Sequence, residues 1–200
     1  MTEVHLGRLV AASLHQAITE ELPQRLDFYE NWLHSEGLRD GSIGLAPMQA
    51  VVGFLRTEGE GYDRVVSRAG SLAAEWTLMT FSPMRHRIIG WLPRRLRIRA
   101  ALAAAARVAG SVSSQSRLKG RVGGSQVRLQ LTSSVFCSVR GTQAAPLCGF
   151  YLAIILRTFG HFGLAAEARV EECRAMGAPA CTFILSFDVA QPMAEPAVAA

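Results

Sequence analysis

Residues 133–185 read SSVFCSVRGTQAAPLCGFYLAIILRTFGHFGLAAEARVEECRAMGAPACTFIL, and they hold all four cysteines of the chain, Cys137, Cys148, Cys173 and Cys181. Pro146 opens a segment that is apolar nearly all round, with Leu147, Phe150, Tyr151, Ile154 and Ile155. Such a segment predicts a helix buried against a sheet. Beyond it, Ala168–Arg174 and Ala180–Asp188 flank Met-Gly-Ala-Pro, the pattern of a terminal hairpin. Upstream, Ser114, Ser116, Leu118, Gly120 and Val122 alternate with polar or basic neighbours up to Gly123-Gly124, a turn signal. Val127, Leu129 and Leu131 then alternate with Arg128, Gln130 and Thr132, which predicts a half-buried strand. The order is β-β-α-β-β with an antiparallel four-stranded sheet.

The front of the chain reads as helices. Leu6, Leu9, Val10, Leu14, Ala17 and Ile18 share a three/four spacing that Pro23 ends. A second helix is expected near Gln24 to Ser35, followed by breaks at Gly37, Gly41 and Gly44. Pro47 suits the first turn of a third, and Glu58-Gly59-Glu60-Gly61 ends it. A fourth, from about Tyr62 to Thr80, sets Val65, Ala69, Leu72, Trp76 and Met79 on one stripe. Helices first and an antiparallel sheet after them make the fold α+β.

Two hundred residues, half of them hydrophobic, suit one domain that buries its core without covalent staples. The N-terminus has no basic start and no uninterrupted apolar run, so a reducing cytoplasm and no structural disulfides are expected. The longest apolar run, Leu147 to Leu156, is too short to span a bilayer. The net charge of +5 is unevenly distributed. No Asp or Glu falls between Glu75 and Glu167, an interval with thirteen basic residues. That block favours an anionic partner or forms a solvated face. Within it, MRHRIIGWLPRRLRIRAALAAAARVAG predicts two helical pieces broken around Gly90 and Pro93. Its Arg-plus-Trp composition suits an anionic membrane surface, and its alanines suit packing inward, the favoured role. With no aromatic RNA-recognition motif or paired-cysteine finger, nucleic acid is not the expected partner.

The cysteines admit three roles: metal ligands, a redox site, or small buried side chains. Cys173 and Cys181 can face each other across the terminal hairpin, and Cys148 lies at a helix start whose dipole favours its thiolate. Glu171, two residues before Cys173, shares its face in a regular strand, whereas Glu172 points away. These groups compose a plausible tetrahedral zinc site, with Cys137 as the substitute for the carboxylate. Trp76, Phe81, His86, Trp91, Phe136, Phe150 and Tyr151 are candidates to line a ligand pocket, with core packing the commoner role for such aromatics. There is no phosphate loop or dinucleotide fingerprint, so a nucleotide cofactor is not expected and a binding protein is favoured over an enzyme.

Phe136-Cys137, Cys148-Gly149-Phe150, Val170-Glu171-Glu172-Cys173, Ala175, Gly177, Cys181 and Phe183 together resemble the V4R (4-vinyl reductase) domain. Gly41-Ser42-Ile43-Gly44 is similar to the entry motif of its bacteriochlorophyll-associated members. The resemblance implies a Bet3-like fold over residues 37–188; by their own composition residues 1–36 read as a helical extension and 189–200 as a disordered tail. It also implies a homodimer and binding of a hydrophobic or aromatic small molecule, as a carrier or sensor. Accessory or reductase work in tetrapyrrole and bacteriochlorophyll biosynthesis, and a Bet3-like protein-interaction module, are the alternatives. In the phenol sensors of this family one cysteine, a glutamate and a Cys-x7-Cys pair bind zinc. Cys148, Cys173 and Cys181 fall on the cysteine positions, but the glutamate position is Val170, one residue before Glu171.

Overall fold

The structure, a computed structural model, describes residues 6–33, 44–81, 91–123, 126–139 and 141–187. Among them are six α-helices and a four-stranded antiparallel sheet, which is the expected α+β class. The helices are α1 (Arg8–Glu21), α2 (Leu26–Glu30), α3 (Leu45–Leu55), α4 (Glu60–Met79), α5 (Arg94–Val112) and α6 (Gly149–His161). The strands are β1 (Leu118–Gly123), β2 (Gln126–Leu131), β3 (Glu167–Glu172) and β4 (Cys181–Ser186). They lie in the order β1-β2-β4-β3, so β4 returns to the centre beside β2. Along β2, Val127, Leu129 and Leu131 are buried and their neighbours exposed, as the alternation predicts. Their partners Leu185, Phe183 and Cys181 therefore share the helix-facing side.

Several elements differ in extent from expectation. The second helix shrinks to a short turn, Pro23–Arg25, and the five residues of α2; positions 34 and 35 lie outside the described residues. Alternation predicts strand from Ser114, but a turn comes first, closed by a hydrogen bond from the Ser116 N–H to the Ser113 carbonyl, with Ser113 and Ser116 buried and Ser114 and Gln115 exposed. Of the stripe read for α4, Val65, Ala69 and Leu72 are buried as expected, whereas Met79 is 75% exposed and Trp76 only half-buried; Tyr62, Val66, Gly70 and Ala73 are buried beside them. The breaks at Gly37 and Gly41, the Gly41–Ile43 motif, Gly90 and Gly124 lie outside the described residues, as do the N-terminal five residues and the tail.

Helix α4 makes its tightest contact with α6. A Cβ on Gly70 would lie 2.2 Å from the Phe150 carbonyl oxygen, so only glycine admits this approach. Helix α5 turns Ile98, Ala101, Ala104, Ala105, Val108 and Ala109 inward. Its alanines pack, as favoured. Leu102 of α5 lies over Gly120 of β1, where a Cβ would come within 2.6 Å of it.

Candidate metal centre

Each cysteine reaches one place by a different local device. Cys137 follows β2 in a turn, where its N–H donates to Ser134 Oγ at 3.3 Å. Cys148 is the residue before the first turn of α6 and accepts there through its carbonyl from Tyr151 and Leu152 N–H. Cys181 opens β4 opposite Leu131, so it faces the helices. Cys173 depends on an irregularity. Val170 pairs with Phe183 and Glu172 with Thr182, which leaves Glu171 as an extra residue in β3. This β-bulge absorbs one position of the alternation. Val170 and Cys173 can then both face the helices, although two residues separate them. After Cys173 a short helical turn, Arg174–Met176, ends at Gly177 with φ +94°, and the chain reverses into β4.

The four sulfurs all lie within 4.8 Å of one another, and all four residues are buried. Cys137 Sγ is 3.6 Å from both Cys173 Sγ and Cys181 Sγ, and the last two are 4.0 Å apart. A tetrahedral ion with metal–sulfur bonds of about 2.3 Å has sulfur–sulfur edges of about 3.8 Å. A disulfide would need about 2.0 Å. The spacing suits a cation at the centre of four thiolates, and the four cysteines could hold a metal ion.

Electrostatics divide the cluster. Cys173 and Cys181 are pushed down from the ordinary thiol value, chiefly by hydrogen bonds from the Cys137 and Cys148 thiols. The Arg174 N–H adds a contact to Cys181 Sγ at 3.5 Å. Cys148 is pushed up by its three sulfur neighbours and by burial. For Cys137, Cys148 acts downward, but Cys173, Cys181 and burial outweigh it. A cation at the centre would offset the charge of thiolates held this close together.

Two side chains outside the cysteine motif hold this geometry. Tyr62 Oη donates to the Leu147 carbonyl at 3.0 Å, beside Cys148, and Arg56 donates to the Phe136 carbonyl at 2.7 Å, beside Cys137. The sequence offers no signal for either, because each acts through the backbone of a residue some eighty positions away.

Glu171 does not join the cluster. The bulge sends it to the opposite side of the sheet, where it pairs with Arg128. Glu172 lies on that side too, accepting from Thr182 Oγ1 at 2.7 Å. The expected sharing of a face by Glu171 and Cys173 assumed unbroken alternation, which the bulge removes. The glutamate position of the resemblance, Val170, does face inward, and Cys137 supplies the fourth sulfur.

The aromatic candidates are divided as well. Phe136 and Phe150 stack at 4.5 Å, and Tyr151 meets both edge-on. Tyr151 Oη shares a 2.8 Å hydrogen bond with Ser116 Oγ. Trp76 packs half-buried on the core, Arg107 covers Phe81 with its guanidinium 5.7 Å from the ring, and Trp91 is 93% exposed. His86 lies outside the described residues. A cleft of about 220 Å³ opens elsewhere, against Cys137, with Leu45, Gln49, Ser134, Val135 and Arg174 in its wall. None of the described aromatic candidates lines it.

No family model and no curated protein matches the chain. Solved structures do match. The fold is shared with solved structures of known domains. The phenol-responsive sensory domain of the transcription activator PoxR, solved with phenol, is 14% identical; the match covers 72% of this chain and 74% of that one, with a TM-score of 0.50. An Fe(II) unliganded H-NOX protein from K. algicida is 11% identical over 94% of this chain and all of its own, with a TM-score of 0.62. An H-NOX protein from S. oneidensis, in the Fe(II)NO ligation state, is 13% identical over 92% and 99%, with a TM-score of 0.58. At these identities the likeness is one of fold.

Proposed function

We propose that the chain is a small-molecule-binding sensory domain in which a zinc ion, held by Cys137, Cys148, Cys173 and Cys181, ties α6 to the β3–β4 hairpin. The observation that carries this reading is the mutual approach of the four buried sulfurs. Zinc suits a closed all-sulfur tetrahedron with no open position, and such a site stabilises structure rather than turning over substrate. A binding role is favoured over an enzymatic one. Among the described residues no histidine joins the cysteine cluster.

The ligand is read as a hydrophobic or aromatic small molecule, with the packed rings of Phe136, Phe150 and Tyr151 as the candidate lining. The fold shared with a domain solved with phenol supports this reading. The binding unit is taken as residues 37–188. No helix among the described residues is long and apolar enough to cross a membrane.

Native mass spectrometry of protein expressed in zinc-supplemented medium tests the metal: one ion per chain is expected, and a metal-free folded chain refutes it. A doubled mass would report the expected homodimer. Thermal shifts against substituted phenols test the ligand class, and no shift with any of them removes the aromatic reading.

A further inference from the structure

Helix α5 carries four arginines within its first six residues, and they divide into two pairs. Arg94 and Arg97 turn back onto the protein: the Arg94 guanidinium sits 5.5 Å above the Phe187 ring, and Arg97 reaches the Gly163 carbonyl at 3.5 Å. Arg95 and Arg99, one turn apart, are exposed and pair with no carboxylate among the described residues. Beside them Leu96 is 43% exposed and Trp91, just before the helix, is 93% exposed.

Nothing in the helix offsets this charge. Its first turn has no acidic residue and no side-chain cap. The positive end of the helix dipole therefore adds to the guanidiniums instead of opposing them. The buried stripe of alanines on the other side fixes which face points outward.

We infer that the Trp91–Leu96–Arg95–Arg99 face of α5 docks on an anionic lipid bilayer surface. The arginines complement acidic headgroups, and one indole with one leucine suits shallow insertion at the headgroup boundary. An indole prefers that boundary over bulk water. A nucleic acid would use the arginines but has no comparable call on an exposed leucine beside an indole.

Co-sedimentation of the full chain tests this, using vesicles of phosphatidylcholine alone and of equal parts phosphatidylcholine and phosphatidylglycerol. Binding is expected only to the anionic vesicles and should fall with added salt. Replacing both arginines (R95Q/R99Q) should weaken partitioning by roughly thirty-fold, since each basic residue contributes about 1 kcal/mol near such a surface. Trp91→Ala should weaken it further, with circular dichroism and metal content unchanged in both variants. Equal binding to both vesicle types overturns the inference, as does no binding at low salt, or retention unaffected by R95Q/R99Q. Equally strong binding to a DNA duplex that ignores Trp91→Ala would assign the face to polyanions in general and also overturn it.

Discussion

Glu171 and Cys173 stand two positions apart and end on opposite sides of one sheet, and that separation decides which side chains can hold a metal. Glu171→Ala is expected to leave the metal in place and lose only an exposed ion pair with Arg128, about 0.2–1 kcal/mol. Replacing any one of Cys137, Cys148, Cys173 or Cys181 by serine should release the ion, as metal analysis by mass spectrometry would show. The unfolding free energy should also fall, by about 4 kcal/mol where free zinc stands near a thousand times its dissociation constant. Tyr151→Phe removes the buried hydroxyl bonded to Ser116 and should cost about 0.5–1.5 kcal/mol in denaturant unfolding. At this scale the sequence was informative about the thiols and misleading about the acid. Four cysteines in fifty residues can be read as a set, but a strand's facing cannot be counted through a bulge that no residue type announces.

Among the elements, β3 is one residue too long for its partner, and the bulge takes up the excess. Deleting Glu171 would leave Val170-Glu172-Cys173 in regular alternation with Cys173 still inward. The deleted chain should therefore bind metal as the parent does, and loss of metal on deletion would mean that the bulge itself shapes the site. The crossing of α4 and α6 is less forgiving. Gly70→Ala would drive a methyl into the Phe150 carbonyl and should destabilise by about 1–3 kcal/mol, measured by thermal or urea unfolding. Strands with strict alternation, such as β2, and the apolar α6 were readable because burial imposes its period on the residues. The buried side of α4 was readable at Val65, Ala69 and Leu72, but its close approach to α6 was not, since it rests on a glycine meeting a distant backbone.

For the molecule as a whole, the order of elements was legible and their spatial arrangement was not. Placing β4 between β2 and β3 requires pairings between strands about fifty residues apart. Buried tyrosines tie the layers together. Burial raises both Tyr62 and Tyr151 above the usual phenol range, with the Ser116 bond acting downward on Tyr151. A folded pKa above the unfolded one leaves stability intact below about pH 10 and erodes it as the pH climbs beyond that value. Unfolding followed by circular dichroism should therefore show a loss of stability above about pH 10 that is reduced in Tyr62→Phe. The thiol cluster also has a consequence for biosynthesis. Cys181 lies 44 residues after Cys137, on the central strand that completes the sheet. The four-sulfur set is therefore incomplete on a growing chain until Cys181 has followed Cys137 out of the ribosome, and the early thiols must stay reduced over that interval.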